Sequence, residues 1–183
     1  MDIQEISDRL EINNLLIDYC SAVDAKTFAD FDRIFTADAL IDYTALGGIR
    51  GSVAEIKEYL GRVMPHFGAT QQLIANSRVW VEGDTARART MCHNPMEIPL
   101  PGSGTQMAFY GLWYVDRLVR TRDGWRIAER ALRRPVVSNQ VQFGLASPSP
   151  AWDLVPYARE HDRIVIAYSP LAQGLLAAGP GTT

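Results

Sequence analysis

Histidine is scarce in this chain: His66, His93 and His161 are the only three among 183 residues. Cysteine is scarcer still, with Cys20 and Cys92 alone. No group of His, Cys, Asp and Glu has metal-ligand spacing. There is neither a Gly-x-Ser-x-Gly elbow nor a phosphate-binding glycine loop. Nothing in the sequence therefore calls for a metal or an organic cofactor. Both cysteines lie in apolar segments, as buried free thiols of a reducing compartment do. No apolar run approaches the roughly 18 residues that a membrane-spanning helix needs. The opening MDIQEISDRL lacks the basic and apolar regions of a signal peptide. Positive charge is not in excess either. The net charge of -3 gives no electrostatic case for nucleic acid or an anionic membrane surface. These absences predict a cytoplasmic chain without nucleic-acid or membrane partners.

What is present is an apolar content of 47% and a charged content of 21%, ordinary for a globular protein. At this length that suffices for one domain with a core and an appendage. Over residues 3–23, Ile3, Ile6, Leu10, Leu15, Leu16, Tyr19, Cys20 and Val23 recur at three- and four-residue steps, which predicts an amphipathic helix. The chain turns at Asp24-Ala25-Lys26. A short second helix carries Phe28, Phe31, Ile34 and Phe35, stops at Thr36-Ala37-Asp38, and is followed by a strand over 39–43. Leu15, Leu16, Ile34, Phe35, Leu40 and Ile41 are expected in the core, alternating with the polar Tyr19, Asp24 and Tyr43. An acid beside apolar walls with two phenols in reach suits proton transfer, because desolvation raises a carboxyl pKa towards neutrality. Asp24 suits the N-cap of the second helix equally well.

Ser52 and Glu55 form a capping box that opens a third helix, Val53–Val63. Beyond Ala69 the period changes to two. Strands are predicted over 72–82, 85–96, 105–119 and 125–134, with turns at Gly83-Asp84 and Arg122-Asp123-Gly124. Three helices followed by a meander of long antiparallel strands is an α+β plan: a curved, cone-shaped sheet wrapped on the helices. Its open mouth is a natural small-molecule pocket.

The order of elements, the Tyr19-x4-Asp24 signature, TADALIDY at 36–43, and the pair VEGDTARART and RTRDGWRIAERALRR together carry a resemblance. Over about residues 1–135 the chain resembles the SnoaL-like branch of the nuclear-transport-factor-2-like fold. Nearest in pattern are scytalone-dehydratase-like and bile-acid-dehydratase-like proteins, which pair a histidine with an aspartate and tyrosines. The resemblance implies that Asp24 matches the aspartate that orients the histidine, Tyr19 the tyrosine one turn earlier, and Tyr43 the tyrosine after the first strand. These three form the implied catalytic set. The position of the histidine itself is Gln72, which hydrogen-bonds but does not titrate. A second acid or histidine falls at Asn94, beside His93.

Gln72, Asn94, Tyr110 and His93 are the expected substrate-binding residues. Strict alternation puts His93 on a face with Arg87, Arg89 and Met91, so it reaches a pocket only through a bulge before Pro95. Tyr110 and Tyr114 share one face of their strand, Phe109 and Trp113 the other. One set is expected to line the pocket and the other to meet a partner subunit, giving a homodimer or higher homo-oligomer. Arg126, Arg130 and Arg134 are placed together on a solvated or subunit-facing surface.

After Pro135 the composition shifts, and Ser147-Pro148-Ser149-Pro150 reads as a linker before a helix over 152–161, a strand over 163–168 and a turn at Ser169-Pro170-Leu171. SNQVQF and LVPYAREHDRIVIAYSPLAQGLL resemble two βα units of an aldo/keto reductase barrel, over 138–176. In that family the pair at Asn139 and Gln140 lies under the nicotinamide, and the turn at Ser169 to Leu171 near the cofactor phosphates. The family's catalytic residues have no counterpart here, and two of eight units cannot close a barrel. The expected division is a SnoaL-like domain at 1–137 and a reductase-like fragment at 138–183 that is not an independent domain.

The function implied is a cofactor-free lyase, of the dehydratase kind, or an isomerase. Its substrate would be a small, largely apolar hydroxylated or carbonyl compound. Asp24 would be the base or its orienter, Tyr19 and Tyr43 donors to a developing oxyanion, and Gln72 and Asn94 positioning groups. The alternatives are a non-catalytic binder or accessory protein of the same fold, and an assembly role in which the tail docks.

Overall fold

The computed structural model describes residues 2–100, 102, 104–146, 148–152, 154–160 and 164–168, with side chains described at all of these except 134–142, 164, 166 and 168. Two compact units are present, Met1–Pro135 and Val136–Thr183.

Helix α1 (Ile3–Asp24) opens on Asp2, whose carboxylate accepts from the Glu5 amide. Its buried face is Asp8, Ile12, Leu15, Leu16, Tyr19, Cys20 and Val23. Ile3, Ile6 and Leu10, expected on that face, are exposed. Asp8 takes the inward position in those turns because it has partners there: both its oxygens accept from Arg120 (2.8 and 2.7 Å), and the Trp125 indole donates to it at 3.2 Å. The Arg120 hydrogen bonds hold the Asp8 carboxyl down at about 2.

After α1, Lys26 adopts a left-handed φ of 58°. A 3-10 turn over Phe28–Asp30 leads into the single-turn α2 (Phe31–Ile34), and strand β1 (Phe35–Asp42) follows at once. Thr36 to Asp38, expected to stop a helix, is therefore strand. The pairing of β1 with its neighbour shifts register between Phe35 and Leu40, which masked the strand's period. Alternation also separates two residues expected together in the core: Ile41 is buried and Leu40 is exposed. Strand β2 (Arg50–Ser52) runs directly into α3 (Val53–Val63), whose capping box is complete, as read from the sequence.

The remaining strands are β3 (Leu73–Glu82), β4 (Thr85–Pro99), β5 (Thr105–Thr121) and β6 (Gly124–Gln142). Gly83, at φ 63°, makes the tight β3–β4 turn that a side chain would strain. The order across the sheet is β2-β1-β6-β5-β4-β3, antiparallel at β1/β2, β3/β4 and β4/β5 and parallel at β1/β6. The fold is α+β, a curved antiparallel-rich sheet with helices, as expected. Its inner face (Ala88, Cys92, Leu112, Tyr114, Leu118, Ile127) shares one core with Ile12, Leu16 and Val23 of α1 and Ile56 and Leu60 of α3.

One strand breaks its own alternation. In β6, Trp125 and Ile127 are buried, and so are Ala128, Arg130 and Leu132. The inward phase moves by one residue between Ile127 and Ala128. Arg130 is therefore fully buried, not solvated as strict alternation from Arg126 predicts. The Arg134 side chain lies outside the described residues.

In the second unit the end of β6 pairs in parallel with β7 (Ile164–Tyr168), Ser138 opposite Ile164 and Gln142 opposite Tyr168, and α4 (Leu154–Glu160) precedes β7 in sequence. A parallel pair joined through a helix is the βα connection read from the sequence. The side chains of Asn139 and Gln140 and the turn at Ser169 to Leu171 lie outside the described residues.

Candidate functional site

A cavity of about 160 Å³ opens on the inner side of the sheet, between α1, α3 and strands β4 to β6. Its walls are apolar: Val23, Leu60, Val63, Met64, Phe67, Met96, Leu112 and Leu132. Tyr19, Tyr43, Tyr59, Tyr110, Tyr114, Gln72 and Asn94 are the polar residues of the same lining. A larger groove of about 570 Å³ lies on the outer face, lined by Arg50, Arg87, Arg89, Arg117, Arg133, Asp42 and Glu129. Its charges are in part already paired, Arg117 with Glu129 and Arg87 with Glu82. Apolar enclosure with converging polar groups marks the inner cavity as the candidate site.

Tyr19 comes from the buried face of α1 and Tyr43 from the residue after β1, and their hydroxyl oxygens are 2.5 Å apart. Two phenols hold two protons, and one is used between them. The other is free to donate. Burial pushes the Tyr19 phenol up to about 12, against the pull of the Arg130 cation and of the Tyr43 hydrogen bond. Burial also lifts Tyr43 and Tyr114 well above the ordinary phenol range. All three are protonated at neutral pH, so they act as donors rather than bases.

Behind these rings lies Arg130. Its guanidinium forms a fork on Asp116 (2.7 and 2.8 Å) and stacks over Tyr19 at 3.9 Å and Tyr114 at 4.4 Å from the ring centroids. Burial works against the cation, and Asp116 more than offsets this, holding the Arg130 pKa well above its usual value. Arg130 and Asp116 were not legible as part of the site. The available signal was the spacing Ala128-x-Arg130-x-Leu132, which sets an arginine between two core residues on one strand face.

Tyr114 donates to the Gln72 side-chain oxygen at 2.7 Å, which leaves the Gln72 amide hydrogens for the cavity. The position of Gln72 is set by Asp24, which accepts the Gln72 backbone N–H at 2.8 Å and the Thr70 hydroxyl at 2.9 Å. Asp24 is half-buried and does not line the cavity. It is neither a helix cap nor an acid on the pocket wall: both its oxygens tie the end of α1 to the strand entry that carries Gln72. Asn94 does line the cavity, opposite Tyr110 in the β4–β5 register. His93 does not. It is exposed on the outer face and stacks on Phe109 at 5.8 Å, because no bulge reverses the alternation before Pro95. Tyr110 and Tyr114 face inward, and Phe109 lies exposed on the other face. Cys20 and Cys92 are buried free thiols, pushed by burial up to about 12 and about 11. Among the described residues no three His, Cys, Asp or Glu stand close enough to hold a metal ion, and no helix is long and apolar enough to cross a membrane.

The family described as "SnoaL-like domain" matches residues 4–131. An uncharacterized protein of Mycobacterium tuberculosis is 51% identical over 130 residues, covering 71% of this chain and 87% of that one. An uncharacterized oxidoreductase of the same species is 69% identical over 52 residues, which is 28% of this chain and 16% of the relative. That short match accords with the reductase resemblance of the tail. Among solved structures, the Kfla4162 protein of Kribbella flavida is 26% identical with a TM-score of 0.64, covering 70% of this chain and 90% of that one. A provisionally named scytalone dehydratase of Novosphingobium aromaticivorans (17% identity, TM-score 0.63, 73% and 87% covered) shares the fold. So does the hexachlorocyclohexane dehydrochlorinase LinA-type3 of Novosphingobium barchaimii (16%, 0.64, 75% and 94%). With the family matched across α1 to α3, β1 to β5 and the first part of β6, this chain belongs to the SnoaL-like domain family.

Proposed function

We propose that the cavity binds a small, largely apolar compound through a carbonyl or hydroxyl oxygen and, as a cofactor-free lyase or isomerase, promotes its elimination or isomerisation by stabilising the oxyanion, the proton leaving carbon passing to a solvent water at the cavity mouth and returning to the departing hydroxyl or to carbon. The observation that carries this reading is the buried Tyr19–Tyr43 hydroxyl pair, one of whose protons is free to donate in an apolar cavity. A neutral donor with a pKa held above its usual range does not lose its proton to solvent at neutral pH. It stabilises negative charge as that charge develops on the substrate oxygen. Arg130, stacked behind Tyr19, favours the same charge without touching the ligand. Gln72, fixed by Asp24 and Tyr114, adds an amide donor. The lyase class draws support from fold neighbours named for dehydration and dehydrochlorination. The exposed outer-face residues Met107, Phe109 and Val115 favour a homo-oligomer assembled through that face.

A second reading, non-catalytic binding, is favoured by one specific observation: among the described residues, neither imidazole nor carboxylate lines the cavity. Turnover of small cyclic hydroxyketones by wild type and by Tyr43→Phe separates the two. Losing one oxyanion donor lowers turnover about 10²–10³-fold in a catalyst. Binding without turnover selects the binder, and absence of both overturns the proposal.

A further inference from the structure

On the β4–β5 side of the cavity three polar residues stand in one row. The Thr70–Met96 bridge, the Leu73–His93 pair and the bond from the Gln71 N–H to the Pro95 carbonyl set Gln72 opposite Asn94. Asn94 is in turn paired with Tyr110 across β4 and β5. Side chains paired in this way have Cβ atoms about 5 Å apart. What the row offers to the cavity is donors. The Gln72 oxygen already accepts from Tyr114, which leaves its NH2 group. The Asn94 oxygen is shielded, so the accessible atom of that amide is its nitrogen as well. The Gln72 and Asn94 nitrogens and the Tyr110 hydroxyl have no hydrogen-bond partner among the described residues. The phenol pair reaches the cavity from elsewhere, from α1 and the end of β1, and β6 separates β1 from β5 in the sheet. The row is a second point of polar recognition.

Resting on the reading of the cavity as a site for a small oxygenated compound, we propose that Asn94, flanked by Gln72 and Tyr110, is a specificity-determining residue: its amide N–H donates to a second acceptor oxygen of the ligand, apart from the oxygen that meets the phenol pair. A side-chain NH2 group only donates, so the group it holds is an acceptor. The substrate class narrows accordingly from any apolar carbonyl or hydroxyl compound to dicarbonyl compounds, with an apolar frame between two oxygens. The cavity of about 160 Å³ is small beside the roughly 300–1,000 Å³ of common ligand sites, which fits a single ring. An analogue of the same shape without the second oxygen covers the row with C–H groups, strips its water and leaves the donors unpaired. Sites built to hydrogen-bond a substrate group reject the analogue lacking it more strongly than an apolar pocket rejects a change of size.

The test is a binding panel on the full chain, read by calorimetry. It sets cyclohexane-1,4-dione against 4-methylenecyclohexanone, and 2,2-dimethylcyclohexane-1,3-dione against 2,2-dimethylcyclohexanone. In each pair the shape is kept and one oxygen is removed. The expected result is that at least one diketone binds wild type about fivefold or more tighter than its partner. Asn94→Leu, of similar volume, should bring that ratio below about twofold while leaving the affinity for the monoketone within about threefold. The infrared spectrum of the preferred diketone bound to wild type should show both carbonyl stretches lowered by hydrogen bonding, a readout that needs no variant to fold. Equal affinity within both pairs, or one carbonyl of the bound diketone left at its apolar-solvent frequency, overturns the assignment of Asn94 and leaves the cavity reading standing. A preference that survives Asn94→Leu also overturns it. If no probe binds wild type, the cavity reading and this inference fall together.

Discussion

Replacing Arg130 by Met tests the least expected feature of the site. The guanidinium is fully buried, as is its partner Asp116. Removing the cation leaves a buried carboxylate with two empty acceptor positions, which costs about 3–5 kcal/mol. Its contact with the Tyr19 and Tyr114 rings accounts for up to ~2 kcal/mol of stabilisation when desolvated. A loss of about 4 kcal/mol is a large part of the 5–15 kcal/mol typical of a domain. Arg130→Met should therefore lower the urea midpoint steeply without changing the slope. The double variant Arg130→Met, Asp116→Leu should recover to within about 1 kcal/mol of wild type, because apolar replacement of a whole buried pair is often neutral. Equilibrium urea unfolding of the four proteins yields the coupling energy directly. A single variant that loses less than about 1 kcal/mol, or a double variant as unstable as the two losses summed, would refute the buried pair.

Three further outcomes follow from other parts of the molecule. Asp8 titrates at about 2 in the folded chain against an ordinary 3.8, so its contribution of about 2 kcal/mol is complete above pH 4 and disappears as the pH falls through 2; unfolding curves between pH 2 and 6 should show this step and lose it in Asp8→Asn. Ser52→Ala removes the hydroxyl of the α3 capping box and should cost about 1 kcal/mol, read as a lowered melting temperature, with Glu55→Ala giving a smaller loss. Removing residues 148–183 should lower the melting temperature of the first unit by less than about 4 °C if the reductase-like tail is an appendage, and a larger drop would make it integral to the fold.

Much of this architecture was legible because local chemistry agreed with the fold. Ser52 and Glu55 satisfy each other within one turn, so the start of α3 needed no tertiary information. Gly83 marks its hairpin through a backbone angle that other residues avoid. The alternation of β5 sorted Tyr110 and Tyr114 from Phe109 and Trp113. Other features lie beyond any local pattern. Asp8 is buried only because Arg120 and Trp125 arrive from more than a hundred residues away, and this reverses the apparent polarity of the first turns of α1. A one-residue change of phase in β6 carries Arg130 inward, where periodicity counted from Arg126 puts it in water. Asp24 looked like a pocket acid from its spacing to Tyr19, yet its role is decided by Thr70 and the Gln72 amide, a distant loop the helix pattern cannot see.

The central claim is that a ligand oxygen meets the phenol pair inside the inner cavity. Its most direct test is a crystal structure of the protein soaked with 4-hydroxyacetophenone. The account predicts the ketone oxygen within hydrogen-bond distance of the Tyr19 or Tyr43 hydroxyl, with the aromatic ring against Val63, Met96 and Leu112. Ligand density confined to the arginine-lined outer groove, or a ligand in the cavity with its oxygens turned away from both phenols, would contradict it.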